Sequence, residues 1–150
     1  MSDRSEAGIA ALRILARSDK TTAELIQKLK QKGFSREEAE HAAMEMSELG
    51  YLNDLRYAEH FLSYYRDSKS RTRMIFELRN KGISQEDLEA ALENAASFDE
   101  TDLIRRLVEK RLPDPDHASL QEIEKCKAYL YRQGFRMSDI LSVLSNSGLT

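Results

Sequence analysis

Residues that break or turn a chain are scarce here. The 150 residues include six glycines and two prolines, well under the roughly 12% that the two types supply in ordinary globular domains. A many-stranded sandwich or barrel needs more turns than that, so the composition points to helices. Cysteine is nearly absent as well. Cys126 stands alone and has no partner for an internal disulfide, as expected of a cytoplasmic protein. Long apolar runs are missing: Arg13 splits the stretch from Ile9 to Ala16, which leaves no signal-peptide core near the start. No segment approaches the ~18 consecutive apolar residues of a membrane span, so the chain is expected to be soluble and away from membranes. Charge of one sign is lacking too, with 23 basic residues against 26 acidic and a net charge of −3. This balance argues against a surface that is uniformly attractive to nucleic acid, and the distribution of the charge matters more than its sum.

Catalytic signatures are also absent. There is no G-x-x-x-x-G-K-[ST] phosphate loop, no G-x-G-x-x-G and no H-E-x-x-H, and His41, His60 and His117 have no Cys or His at ligand spacing. Glu37, Glu38, Glu40, Glu45 and Glu48 lie along one amphipathic helix and read as a solvated face. Cys126 lies between Lys125 and Lys127, neighbours that lower a thiol pKa, but it has no resolving partner and reads as a partly buried structural cysteine. The expectation is a non-enzyme with no cofactor and no metal.

What the chain does have is charge, helix formers and a repeat. Charged residues make up 33% and hydrophobic residues 41%, a thin core for its surface that favours small or repeated units. Gly33 and Gly82 lie 49 residues apart, and at that shift, without gaps, Leu12 falls on Phe61, Arg17 on Arg66, Lys20 on Lys69, Ile26 on Ile75 and Leu29 on Leu78. Beyond the glycine, Phe34 falls on Ile83, Ser35 on Ser84, Glu37 on Glu86 and Ala42 on Ala91. A fainter third copy follows 52 residues on, with Leu78 on Leu130, Gly82 on Gly134, Ile83 on Phe135 and Leu88 on Ile140. Periods of 20–50 residues signal tandem architecture. The expected fold is all-α, three tandem three-helix repeats of helix-turn-helix character at residues 1–50, 51–97 and 98–150, in an elongated, curved monomer.

Each copy punctuates itself in the same way. Thr21 to Glu24 forms a capping box that opens a helix carrying Leu25, Ile26 and Leu29 on one face, and Gly33 ends it in a position that wants the left-handed conformation. Ser35 to Glu38 opens the next helix, which Gly50 stops. In the second copy Asn53 or Asp54 caps a helix to Tyr65, a second helix runs from Ser70 to Lys81, and Ser84 to Asp87 launches the third. The last copy is expected at Thr101–Leu112, Ser119–Gln133 and Ser138–Asn146, with Pro113 to Asp116 forming a longer loop near 113–118.

Charge is sorted by helix. Arg66, Lys69, Arg71, Arg73, Arg79 and Lys81 face only Asp67 and Glu77 between Arg66 and Lys81. The equivalent segment of the first copy carries Lys20, Lys28, Lys30 and Lys32 against Glu24, with Arg17 just before it, and that of the third carries Lys125, Lys127 and Arg132 against Glu122 and Glu124. The third helices of the first two copies reverse this. Five Glu outnumber Arg36 before Gly50, and seven acids with no base run from Glu86 to Asp102. A sequence-reading helix-turn-helix puts its second helix in the major groove among phosphates, and an acidic helix there would be repelled. The positive helix is the one before the turn, so the candidate nucleic-acid or filament contacts are Arg17, Lys20, Lys28 and Lys32 in the first copy, the six cations named above in the second, and Lys127 and Arg132 in the third. Around the start of the second copy Tyr51, Tyr57, Phe61, Tyr64, Tyr65 and Phe76 cluster, as core or as platforms for unpaired bases. Tyr64 and Tyr65 cannot both face the same way.

These residues carry a resemblance. Arg17-Ser18, Glu24-Leu25, Lys28-Leu29 and Gly33-Phe34, then Gly50-Tyr51-Leu52-Asn53-Asp54 with Tyr57-Ala58 and Phe61, then Glu77-Leu78 and Lys81-Gly82-Ile83, are similar to the RecX family of bacterial recombination regulators. The resemblance spans essentially the whole chain and is strongest from Arg17 to Leu92. It implies three tandem three-helix repeats and a protein that binds the RecA recombinase filament on single- or double-stranded DNA, inhibiting its ATPase, recombinase and strand-exchange activities in DNA repair and the SOS response. Between Arg66 and the next helix the family commonly has glycines and a proline, where this chain has Asp67, Ser68, Ser70 and Thr72. The alternative is a stand-alone helical DNA-binding protein that contacts single or double strands directly.

Overall fold

A computed structural model of the chain describes residues 5–146; residues 1–4 and 147–150, which open the first expected repeat and close the third, lie outside the described residues. The described residues form helices α1 (Glu6–Arg17), α2 (Thr22–Gln31), α3 (Arg36–Glu48), α4 (Asp54–Tyr65), α5 (Arg71–Asn80), α6 (Gln85–Asn94), α7 (Glu100–Arg111), α8 (Leu120–Arg132) and α9 (Met137–Asn146), with a short 3-10 turn at Pro115–His117 and no strand among them. The all-helical expectation holds. Where boundaries differ from the sequence expectation, a hydrogen bond explains it. Asp99 caps α7 by accepting the Thr101 amide, so the helix opens at Glu100. The Arg136 carbonyl already accepts the Ile140 amide, which moves the start of α9 to Met137.

The second helix of each repeat ends in the same way. Gly33 donates to the Lys30 carbonyl and Phe34 to that of Leu29; Gly82 donates to Arg79 and Ile83 to Leu78; Gly134 donates to Tyr131 and Phe135 to Leu130. This paired pattern is the Schellman motif, and it requires a left-handed residue at the glycine. The φ values of +100°, +85° and +97° supply it. Leu29, Leu78 and Leu130, whose carbonyls receive the outer bond, are fully buried.

The second helix begins, in the first two repeats, against the end of the equivalent helix of the next repeat. Thr21 caps α2 by accepting the Glu24 amide at 3.2 Å, and its hydroxyl donates to the carbonyl of Lys81, the residue just after α5, at 2.5 Å. Ser70 repeats the arrangement at α5: its oxygen accepts the Arg73 amide at 3.1 Å and donates to the Gln133 carbonyl at the end of α8 at 2.6 Å. Two further contacts recur at each junction. The first amide of the second helix donates to the acid that opens the next repeat's first helix, Thr22 to Asp54 at 2.8 Å and Arg71 to Glu100 at 2.6 Å. The third side chain of the second helix meets the residue whose carbonyl is used, Glu24 with Lys81 at 3.3 Å and Arg73 with Gln133 at 2.5 Å. Thr21 and Ser70 are the buried polar residues among those described, and both hydroxyls are satisfied twice over, as burial demands. The choice between Asn53 and Asp54 is resolved as well. Asn53 caps α4 through the Arg56 amide, and Asp54 is spent on Thr22.

Two compact units result. One comprises the described residues up to Ser63 together with Glu77–Ala95; the other comprises Tyr64–Phe76 and the described residues from Ala96 onward. The first is built on Ala7, Ala11, Leu25, Leu29, Ala39, Ala42, Ala43, Met46 and Leu52, where the small side chains of α3 let helices approach closely. The second is built on Leu103, Ile104, Val108, Ile123, Leu130, Phe135, Ile140 and Leu144. Each unit contains one of the two junctions, with α5 contributing its end to the first unit and its start to the second.

Glycine serves a second purpose at the junctions. A Cβ at Gly82 would fall on the side chain of Ala23, and one at Gly134 would lie 2.8 Å from the Ser70 hydroxyl and 3.1 Å from Thr72; at Gly33 it would meet nothing within 4 Å. Gly33→Ala should therefore cost only the left-handed strain, about 1–2 kcal/mol. Gly82→Ala adds a clash and should melt lower than Gly33→Ala, at about 2–4 °C per additional kcal/mol. Equal melting temperatures for the two variants would contradict the close approach at Gly82.

Candidate functional site

The basic segment of the second repeat begins in the turn between α4 and α5. The Tyr65 carbonyl accepts the amides of Ser68 at 3.0 Å and Lys69 at 2.9 Å, which closes the turn. No described residue here has positive φ, so the serines and Asp67 make this turn without glycine. Ser70 then takes over as the cap of α5.

The cations fall into two groups. In the second unit, Arg66 donates to the Ser97 carbonyl at 2.8 Å and its guanidinium lies 5.2 Å from the centre of the Phe98 ring. The Lys69 ammonium stands 4.0 Å from the centre of the Tyr65 ring. Arg73 holds Gln133, and Lys127 pairs with Glu124 at 3.1 Å. In the first unit, Arg79 donates to Gln85 at 3.3 Å, and Lys81 binds Glu24 with the Tyr57 ring 5.9 Å from its ammonium. Burial pulls the Lys81 pKa down, but the charges of Glu24 and Tyr57 outweigh it and hold it above the ordinary lysine value. Its contribution to stability is therefore complete below about pH 10.4 and is lost only as pH climbs through the raised value. All six of these cations serve the fold.

Arg17, Lys20, Lys28, Lys32, Arg71 and Arg132 do not. Only the backbone amide of Arg71 is engaged, and none of the six side chains makes an ion pair among the described residues. Arg17 and Lys32 rim a cavity of about 710 Å3 floored by Ile9, Ala10, Ile14 and Phe34. The others lie on or beside the second helices of their repeats. Sequence reasoning treated all twelve cations alike, because the partners of Arg66, Arg73 and Lys81 lie on distant segments that leave no local signal.

The acids divide as well. On α3, Arg36 pairs with Glu40 at 3.3 Å and the Glu38 pKa is lowered by the backbone amide and hydroxyl of Ser35. Of the seven acids from Glu86 to Asp102, four belong to α6, whereas Asp99, Glu100 and Asp102 organise the start of α7. The Asp99 pKa is lowered by the Thr101 hydroxyl and amide, and Asp102 pairs with Arg105 at 2.5 Å.

The aromatic cluster also separates. Phe61 is buried and stacks on Tyr57 with centroids 6.4 Å apart. Tyr64 is 79% exposed, Phe76 62% and Tyr51 55%. Sequence reasoning missed the exposed Tyr131, whose position four residues after Lys127 on α8 was the available signal. No group of three metal-ligating side chains comes together among the described residues.

Comparisons with known proteins follow the same three-part division. Three family models match in succession: RecX, first three-helix domain, at residues 9–43; second three-helix domain at 53–92; third three-helix domain at 99–144. A regulatory protein RecX from Trichlorobacter lovleyi is 39% identical over 145 residues, covering 93% of this chain and 94% of that one. Another, from Caldanaerobacter subterraneus subsp. tengcongensis, is 37% identical over 145 residues, covering 95% and 71%. The crystal structure of RecX from Lactobacillus salivarius superposes with a TM-score of 0.80 at 23% identity, over 97% of this chain and 96% of that one, and so shares the fold. The chain is thus an all-helical protein of three tandem three-helix domains. It belongs to the RecX family, whose curated members are named regulatory proteins. No helix among the described residues is long and apolar enough to cross a membrane.

Cys126 is buried in the core of the second unit, more deeply than its sequence suggested, and burial raises its thiol pKa against the opposing charge of Arg111. A disulfide-forming thiol reagent at neutral pH should leave the folded protein unlabelled and react with one thiol per chain in denaturant. Stoichiometric labelling of the folded chain within minutes would contradict that burial.

Proposed function

We propose that this protein binds the RecA–DNA filament and inhibits its ATP hydrolysis and strand exchange in DNA repair and the SOS response, acting as a cytoplasmic monomer and not as an enzyme, with repeats at 1–50, 51–97 and 98–150. Family membership supports a regulatory role. The observation that carries the reading further is the group of cations that the fold does not use, Lys28 and Lys32 at the second helix of the first repeat, Arg71 in the second and Arg132 in the third. Arginine can grip a phosphate or a carboxylate through two parallel hydrogen bonds, so both DNA and recombinase are suitable partners. The expected contacts that serve the fold, Arg66, Lys69, Arg73, Arg79, Lys81 and Lys127, then position the segment, and the uncommitted ones meet the partner.

Direct DNA binding remains a second reading, favoured by the exposed Tyr64 in the basic segment. Salt separates the two. Affinity drawn from six or more phosphates falls by roughly three to five orders of magnitude between 50 and 200 mM salt, and a filament held largely through protein contacts loses less.

The test is the single-stranded-DNA-dependent ATPase of the host's RecA, which the parent protein should slow. A variant combining Lys28→Ala, Arg71→Ala and Arg132→Ala removes only charges the fold leaves free, and alanine is the better helix former, so helix content should persist. Its inhibition should weaken at least about tenfold, or about 1.4 kcal/mol. A folded variant that inhibits at the parent's concentration would make these cations a solvated face and move the contact elsewhere.

A further inference from the structure

We propose that the recess between α1 and the turn after α2 is a docking site for an acidic amphipathic helix of a partner protein, whose apolar side chains enter the recess while its carboxylates meet the rim. The inference deepens the reading given above and rests on it for the partner's identity: the helix belongs to the recombinase of the filament and not to its DNA. The recess holds about 710 Å3 and is floored by Ile9, Ala10, Ile14 and Phe34. Ala10, Ile14 and Phe34 are half-buried and pack against the core of the first unit, and the Phe34 amide is fixed on the Leu29 carbonyl. Ile9 is 41% exposed. The floor is thus apolar, held from behind and open to solvent in front. Arg13, Arg17 and Lys32 stand on the rim, all exposed, against the acid Glu6. None of these three cationic side chains makes a hydrogen bond, ion pair or ring contact among the described residues. Arg13 and Arg17 are four residues apart on α1, a spacing at which like charges repel. Arg17 is offset by the negative helix end beside it, but Arg13 has no such gain, so the stability of α1 does not account for it.

Apolar floor and cationic rim together select the occupant. Nucleic acid would use the cations but wants open aromatic faces for its bases, and this floor is aliphatic apart from a half-buried phenylalanine packed on the core. A small organic acid brings too few carboxylates for three cations. A protein segment carries several, and it brings branched or aliphatic side chains as well. Apolar surface also continues past Arg13, which lines a second recess with Leu12, Leu15 and Tyr51. A helix lying across α1 can therefore seat apolar anchors from successive turns on either side of the Arg13 guanidinium, the common way in which an amphipathic helix enters a groove. Charge complementarity at the rim then sets its register and speeds its arrival.

The full-length protein is titrated into a fluorescently labelled helical peptide of about 12 residues, or three turns, with leucines on successive turns and glutamates beside them, and into a control with serine in place of leucine. The parent should bind the leucine peptide at least about tenfold more tightly than the control. Arg13→Glu should weaken that binding at least about tenfold, whereas Arg13→Lys stays close to the parent. The reversal should not unfold α1, because a glutamate four residues before Arg17 forms a favourable helical pair. Ile9→Ser removes floor and leaves the rim charged, and it should weaken the leucine peptide while leaving the serine control unchanged. Added peptide should also relieve the inhibition of RecA's ATPase by the parent. The proposal is overturned if the parent does not bind the leucine peptide, if the serine control binds equally well, or if folded Arg13→Glu and Ile9→Ser bind it like the parent. Displacement of the peptide by oligothymidylate would give the recess to nucleic acid, which also overturns it. A peptide bound through Arg13 that leaves inhibition of RecA unrelieved overturns the assignment of the recess to the recombinase. A parent that binds the peptide through Arg13 yet leaves RecA's ATPase untouched upholds the docking site and refutes the function proposed above.

Discussion

A hydroxyl at the start of one helix, donating to the last carbonyl of the equivalent helix in the next repeat, is the interaction on which the tandem arrangement depends. A helix leaves its first amides and last carbonyls without internal partners. Thr21 and Ser70 each satisfy both kinds at once, accepting an amide of their own helix and donating to Lys81 or Gln133. The positive end of one helix also meets the negative end of the next, a favourable alignment of dipoles. Close approach is what makes this possible, and Gly82 and Gly134 permit it by having no Cβ to place against Ala23 or Thr72. The charge pattern around the junction then differs without changing its form. Glu24 with Lys81 is an ion pair in the first unit, whereas Arg73 with Gln133 is a charged hydrogen bond in the second.

This construction limits which charges are available for function. Arg73 near the start of the basic helix and Lys81 just past its end are consumed there, and Arg66 is tied to Ser97 and Phe98. The proposed partner contacts are those that make no ion pair among the described residues: Lys28 on α2, Lys32 just after it, Arg71 on α5 and Arg132 on α8. The count of cations in a segment therefore overstates its capacity to bind, and substitutions at the committed ones would confuse loss of structure with loss of contact.

Much of the fold was legible because its signals are local. Capping boxes at Thr21 and Ser35 formed as their four-residue patterns indicate, and the glycines that repeat at 33, 82 and 134 all took the left-handed conformation. The junctions were not legible, since their hydrogen bonds join residues 60 and 63 positions apart. Nothing in the short range distinguishes Thr21, which caps and bridges, from Ser119, which only caps. The same kind of distance hid the commitments of Arg66, Arg73 and Lys81. Asp54 illustrates the point within one residue: its sequence context suggests a cap for α4, but its carboxylate is taken by Thr22, 32 residues earlier.

Ser70 and Ser119 provide a direct comparison, because each accepts an amide of its own helix at 3.1 Å and only Ser70 donates to a carbonyl of the next repeat. Urea unfolding of Ser70→Ala and Ser119→Ala measures the junction against the cap alone. Ser119→Ala should lose about 1 kcal/mol, the ordinary worth of a serine cap. Ser70→Ala should lose that and a further 1–3 kcal/mol, roughly the cost of leaving a buried acceptor unpaired. Equal losses in the two variants would show that the hydroxyl-to-carbonyl bond does not hold the repeats together.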